Sequence, residues 1–198
     1  DYDDVLIGDG QKNIFYGSGG NDYINGRSAD VNPNIDTISY EFMAAVTART
    51  EGGIDGVDGV YIAFNSGGHR IEVDKGENGT DTLWRITNFT GTNHNDVIFG
   101  TVWDNVLHGL DGDDVLDGIG TGYTGSKNEL YGGNGDDILK FLWAGGGSPG
   151  TTNLLDGGRG NDTLQGSSSG RADTGVFDYS WATGNLTLAA MTGLSSVP

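Results

Sequence analysis

The sequence predicts an all-β fold: a parallel β-roll in which two nine-residue units make each coil of a solenoid. Three observations predict it. Glycine fills 37 of the 198 positions, far above the ~7% of an average chain, yet without the three-residue period of collagen. An Asp or Asn recurs at nine-residue spacing, two places before a large apolar residue. That apolar place is always filled: Leu6, Phe15, Ile24, Ile38, Ile98, Leu107, Leu116, Leu130, Leu139, Leu155 and Leu164.

With the Asp/Asn as position 6 and the apolar residue as position 8, units begin at Gly8, Gly17, Gly91, Gly100, Gly109, Gly132 and Gly157. Gly109-Leu-Asp-Gly-Asp-Asp-Val-Leu-Asp and Gly157-Gly-Arg-Gly-Asn-Asp-Thr-Leu-Gln are clear members. Position 8 is the inward row of a short strand with period 2. Glycine at the head of each unit permits the positive-φ backbone of a sharp turn. A three-residue strand buries almost nothing alone, so only stacked neighbours make a continuous core.

Four segments follow. Residues 1–39 and 91–173 are repeat blocks. Residues 40–90 are an irregular strand-rich segment expected to continue the solenoid, and 174–198 a C-terminal strand or cap, all within one structural domain. In the irregular segment Thr37–Tyr40, Gly59–Phe64, Arg70–Val73 and Asp81–Ile86 read as strands, and Gly52–Gly59 as a loop, solvated in preference to the alternative that its Asp55 and Asp58 hold another ion. In the tail, Phe177 and Trp181 are placed as caps of the open end. The chain opens mid-pattern at Asp1-Tyr-Asp-Asp and stops at Ser-Val-Pro, as expected of a piece of a larger protein.

The units resemble the repeats-in-toxin (RTX) nonapeptide of type I-secreted bacterial proteins. The resemblance covers residues 1–39 and 91–173 and implies a right-handed parallel β-roll that binds calcium outside the cell. It also implies export of the unfolded chain through a low-calcium cytosol.

The register divides the coil into two unlike edges. One carries Asp4, Asp22, Asp96, Asp114, Asp137 and Asp162 at position 6, with Asp3, Asn21, Asn95, Asp113, Asp136 and Asn161 at position 5. Every one of these side chains offers an oxygen. The other carries Asn13, Asp36, Asn105, Asn128 and Asn153 at position 6, and Asp173 continues that row. Its position 5 holds Lys12, Ile35, Asp104, Lys127, Thr152 and Ala172. Lengthened units, from Gly26 to Ser39, Gly118 to Tyr131 and Phe141 to Asp156, all fall on this second edge. Asp, Asn and Gly as simple turn formers explain any single turn, but not oxygen side chains at position 5 of one edge alone.

Stacked strands lie ~4.8 Å apart and calcium–oxygen bonds are ~2.3–2.6 Å, so an ion midway between two turns can bond both. The candidate ligands are Asp3 and Asp4; Gly17, Gly19, Asn21 and Asp22; and Asn95 and Asp96. They continue with Gly109, Asp111, Asp113 and Asp114; Gly132, Asn134, Asp136 and Asp137; and Gly157, Arg159, Asn161 and Asp162. Glycine-rich turns contribute carbonyls. Several calcium ions are expected, at least four: three along Asp96–Asp162 and one between Asp4 and Asp22. The second edge is expected to hold none and to be laddered by amides. Magnesium fits less well, because it demands a tight octahedron and retains water.

Acidic residues outnumber basic ones 28 to 10, a formal charge of −18. Such a chain repels itself until cations arrive, and it has no basic patch for nucleic acid. There is no cysteine, which removes disulfides and thiolate metal sites. No apolar run reaches the ~18 residues of a membrane-spanning helix. Gly120-Thr-Gly-Tyr-Thr-Gly lacks the strand–helix setting of a dinucleotide site. The serines in Gly146–Gly150 and Gly166–Gly170 lack an activating histidine, and His69, His94 and His108 show no metal spacing. Trp103, Tyr123, Phe141 and Trp143 are read as packing the insertions down, the alternative being that they bind sugars or proteins. The expectation is a monomeric calcium-binding structural module of a secreted protein, not an enzyme. The alternative is an auxiliary module that binds polysaccharide or a cell surface.

Overall fold

A computed structural model describes residues 2–27, 36–64, 70–118, 127–141, 152–166, 174–178, 184–185 and 187–189. The strands of the first half are β1 (Val5–Ile7), β2 (Ile14–Tyr16), β3 (Tyr23–Asn25), β4 (Thr37–Ser39), β5 (Arg49–Glu51), β6 (Ile54–Val57), β7 (Tyr61–Phe64), β8 (Arg70–Asp74) and β9 (Thr80–Trp84). Those of the second are β10 (Asn88–Thr90), β11 (Val97–Phe99), β12 (Asn105–Asp111), β13 (Val115–Asp117), β14 (Asn128–Asn134), β15 (Ile138–Lys140), β16 (Thr152–Arg159), β17 (Thr163–Gln165), β18 (Thr174–Asp178) and β19 (Thr187–Ala189).

Outside β5–β9, successive strands alternate between two sheets. One runs β1-β3-β9-β8-β7-β11-β13-β15-β17-β19, the other β2-β4-β10-β12-β14-β16-β18. Within the repeat blocks every pairing is parallel and places position 8 on position 8: Leu6 beside Ile24, Ile98 beside Leu116, Leu116 beside Leu139 and Leu139 beside Leu164. On the facing sheet Leu107 pairs with Leu130 and Leu130 with Leu155. This is the parallel β-roll that the period predicts. From Ile24 to Leu164 the position-8 side chains are fully buried in one core cluster, with Leu6 and Phe15 partly buried at its end. Phe141 is also buried there, while the insertion that follows it, 142–151, lies outside the described residues.

The middle segment enters the first sheet out of chain order. β9 stacks parallel on β3, β8 and β7 follow antiparallel, and β7 receives β11. The opposite sheet has only β10 between β4 and β12. Two extra strands at ~4.8 Å each thus widen one sheet relative to the other by about 10 Å. Tyr40, Phe89, Ile62, Ile71 and Ile86 are among the large buried side chains of the core here.

Gly52–Gly59 is not the loop expected. Gly52 and Gly53 both have positive φ and make the two-residue turn of the β5–β6 hairpin, for which Gly-Gly is suited. Ile54 and Val57 of this hairpin form an outer cluster with Tyr61, Val97, Phe99 and Val115. Val115, an outward position 7, is therefore buried rather than solvated. Ile35, Asp173, His69, Tyr123, Trp143 and Trp181, the side chain of Phe177, and the glycine strings at 120–125 and 146–150 lie outside the described residues, as does most of that at 166–170.

Candidate metal centre

The aspartate edge is built from two rows of side-chain oxygens that run in opposite senses. In the inner row each position-6 Oδ1 accepts the backbone N–H of the preceding turn's position 6. Asp96 donates to Asp114 at 2.8 Å, Asp114 to Asp137 at 2.9 Å and Asp137 to Asp162 at 3.1 Å. In the outer row each position-5 Oδ1 accepts the N–H of the following turn. Asp113 donates to Asn95, Asp136 to Asp113 and Asn161 to Asp136, each at 2.8 Å. A shorter pair of rows serves the first block: Asp4 donates to Asp22 at 2.9 Å and Asn21 to Asp3 at 2.7 Å.

The ladder uses one oxygen of each inner carboxylate. The second oxygens of Asp114 and Asp137 are buried and have no hydrogen-bond partner among the described residues. Each lies over the first glycine of its own turn: a Cβ at Gly109 would overlap Asp114 Oδ2 and meet the Gly132 carbonyl, and a Cβ at Gly132 would overlap Asp137 Oδ2 and meet the Gly157 carbonyl. Carboxylate oxygen and neighbouring glycine carbonyl thus face one point between the turns. Burial pushes Asp114 up to about 9, with the charge of Asp96 adding to it, and Asp137 up to about 7. Burial likewise raises Asp96 to about 7, and raises Asp162. A buried carboxylate without a compensating group is costly, and glycine carbonyls have no hydrogen to offer it. A hard cation that binds oxygen alone fits this donor set.

The amide edge solves the same problem differently. Asn105 N–H donates to Asn128 Oδ1 at 3.2 Å and Asn128 N–H to Asn153 Oδ1 at 2.9 Å, the same inner ladder. Where Asp114 has a bare oxygen, Asn105 has Nδ2, which donates to the carbonyls of Thr101 and Trp103 in its own turn. The amide hydrogens supply the positive charge that the aspartate turns lack. Asp36 departs from this edge's chemistry: its Oδ2 is buried without a partner among the described residues.

The remaining expected ligands divide. Position 3 is not brought to the inner oxygens through its side chains: Asp111, Asn134 and Arg159 are exposed and line a shallow groove with Leu110, Gly133 and Gly158. Asn134 Nδ2 donates to Asp111 Oδ1 at 2.6 Å, and the carbonyls of Asn134 and Arg159 accept from Gly112 and Gly135 of the preceding turns. In the first block the Gly19 carbonyl accepts from Ser18 Oγ at 3.2 Å, and a Cβ at Gly17 would overlap the Tyr40 ring. Asp96 differs from Asp114 because Thr92 N–H already donates to its Oδ2 at 2.6 Å. Among the described residues no three Asp, Glu, His or Cys side chains converge on one point.

Sequence reasoning missed Asp81. Asp22 N–H donates to Asp81 Oδ1 at 3.0 Å, so the rung after Asp22 is Asp81 and not Asp96. The signal was present: Gly76-Glu-Asn-Gly-Thr-Asp-Thr-Leu-Trp is itself a nine-residue unit with Asp81 at position 6 and Leu83 at position 8. Asp58 likewise joins the outer row, accepting Asn95 N–H at 2.9 Å.

The family model of the RTX calcium-binding nonapeptide repeat matches the chain in four copies, over residues 1–30, 90–118, 124–140 and 150–169. No curated protein matches the sequence. Among solved structures, the crystal structure of extracellular lipase LipA from Serratia marcescens is similar at 17% identity and a TM-score of 0.27, over 98% of this chain and 32% of the lipase chain. The present chain thus spans about a third of that protein's length.

Proposed function

Because the chain belongs to the family of RTX calcium-binding nonapeptide repeats, we propose that it is the calcium-dependent folding module of a secreted protein, with its ions between the stacked turns of the aspartate edge. The observation that carries this reading is the pair of buried oxygens Asp114 Oδ2 and Asp137 Oδ2, unpartnered among the described residues and each facing a glycine carbonyl of the next turn. Ions in the Asp114–Asp137 and Asp137–Asp162 gaps would take those oxygens. The Asp96–Asp114 gap would bind more weakly, since the Thr92 N–H already engages Asp96 Oδ2. A further ion belongs between Asp4 and Asp22, for at least four in all.

The switch follows from charge and linkage. At −18 the ion-free chain repels itself, and the inner carboxylates resist burial. Calcium binds only the folded arrangement of turns, so its binding energy becomes folding energy. Low cytosolic calcium would keep the chain unfolded for export, and extracellular calcium would fold it. The role is structural, and its two continuous sheets support residues 1–39, 40–90, 91–173 and 174–198 acting as one folding unit. Far-UV circular dichroism in chelator and then in calcium tests it. A β-spectrum that appears only with calcium is expected. The same spectrum in chelator would sink the proposal.

A further inference from the structure

Lys75 is fully buried in a chain with only ten basic residues. It stands at the head of the missed unit Gly76–Trp84, whose turn stacks on the turn Gly17–Asp22. Gly20 N–H donates to Asn78 O at 3.0 Å, and Thr80 N–H to Asn21 Oδ1 at 2.9 Å. These are the contacts of a regular rung. The gap between the two turns should therefore confront two position-6 carboxylates, Asp22 and Asp81, with glycine-rich backbone, as the Asp114–Asp137 gap does.

Here the gap contains an ammonium. Lys75 Nζ donates to the carbonyl of Ser18, position 2 of the lower turn, at 2.7 Å. It donates to Asp81 Oδ1 and lies 3.7 Å from Asp22 Oδ2. Tyr40 Oη donates to the other oxygen of Asp81 at 2.8 Å, so both Asp81 oxygens are partnered. Its backbone fixes the lysine in place: Lys75 N–H donates to Gly79 O at 2.9 Å, and its carbonyl accepts from Asn78 N–H at 3.1 Å. One cation thus touches a turn carbonyl and the carboxylates of both stacked turns.

We propose that Lys75 stands in for a calcium ion in the Asp22–Asp81 gap, so that this rung of the aspartate edge is closed by a tethered ammonium and takes no metal. The inference rests on the calcium reading of the edge. It divides the edge chemically: the rung that docks β9 on β3, and with it the inserted strands β8 and β7, carries its own cation, whereas the run from Asp114 to Asp162 depends on ions from solution. A buried ion pair that merely pins the insertion would leave the calcium count untouched on removal of the lysine. A stand-in for calcium would not.

The experiment locates and counts ions on the whole chain. In the calcium-loaded native protein, anomalous scattering should show ions in the Asp114–Asp137 gap and none between Asp22 and Asp81. Lys75→Gly opens the gap, and native mass spectrometry should find one more calcium per chain than in the parent, with folding that needs more calcium. An ion between Asp22 and Asp81 in the native protein overturns the proposal. So does a folded Lys75→Gly protein with an unchanged count, or one that stays unfolded in saturating calcium. If no ion binds anywhere, the Asp114–Asp137 gap included, the calcium reading of the edge fails first and this inference with it.

Discussion

Asp137 accepts the backbone N–H of Asp114 on Oδ1 at 2.9 Å and, among the described residues, nothing on Oδ2. The first half of that relationship is shared with Asn128, which accepts Asn105 N–H in the same way on the opposite edge. The second half is not, because an asparagine carries an NH2 in place of the second oxygen, and that of Asn105 donates to the carbonyls of Thr101 and Trp103 in its own turn. On the proposed function, this difference between a carboxylate and an amide at position 6 is what makes one edge need an external cation and not the other.

Replacing Asp137 by Asn should convert an aspartate turn into an amide turn. Oδ1 still serves the ladder, and Nδ2 gains the turn carbonyls. Calcium per chain should fall, while the ion-free protein becomes easier to fold. Asp137→Ala should lose the ions and also leave Asp114 N–H unpaired, a further loss of about 1–3 kcal/mol. Calorimetric titration with calcium, circular dichroism in chelator and denaturant melts at saturating calcium separate the two variants.

Asn128→Ala should leave calcium stoichiometry unchanged. It strips the acceptor from Asn105 N–H and Nδ2, and so should destabilise the calcium-loaded fold by about 1–3 kcal/mol. Urea melts at saturating calcium, set beside a titration of bound ions, check both halves.

The inner carboxylates set a pH dependence. Their folded values, about 7 for Asp96 and Asp137 and about 9 for Asp114, lie above the ~3.9 of an unfolded Asp. The folded state therefore binds more protons, and their contribution to stability is full below ~4 and lost as pH rises through about 7 to 9. Without calcium, acidification from pH 9 toward 5 should increase β-structure. With calcium, the same protons compete for the same oxygens, so affinity should rise with pH across that window. Circular dichroism in chelator against pH reads the first effect; an ion-free stability that climbs with pH would contradict it.

Leu116 is fully buried and Ile138, at position 7, is 41% exposed. Leu116→Asp should abolish calcium-induced folding, because an extra carboxylate inside the roll has no cation to meet. Ile138→Asp should change stability within about 0.5 kcal/mol. Val115 does not serve as the exposed control, since the β5–β6 hairpin covers it. Calcium midpoints followed by tryptophan fluorescence compare the variants.

The roll itself was legible because its signal is local and repeated. An apolar residue two places after Asp or Asn marks the inward row, and Leu107, Leu116, Leu130 and Leu139 occupy it with no exposure. The inner rows of the edge were legible for the same reason. The middle segment was not, because its strand order depends on pairings between distant stretches. Nothing within Tyr61–Phe64 or Arg70–Asp74 says that these strands enter the sheet antiparallel, between β9 and β11. The β5–β6 hairpin and the Asp81 rung had local signals, the Gly52-Gly53 turn and the unit from Gly76, which the irregular surroundings masked. The Lys75 contacts had none, since its ammonium reaches a turn 57 residues away in sequence.

Anomalous scattering from crystals of the calcium-loaded protein tests the central claim most directly. Peaks should stand between Asp114 and Asp137 and between Asp137 and Asp162, with none along Asn105, Asn128 and Asn153. Calcium along both edges, or an aspartate edge without ions in saturating calcium, would contradict it.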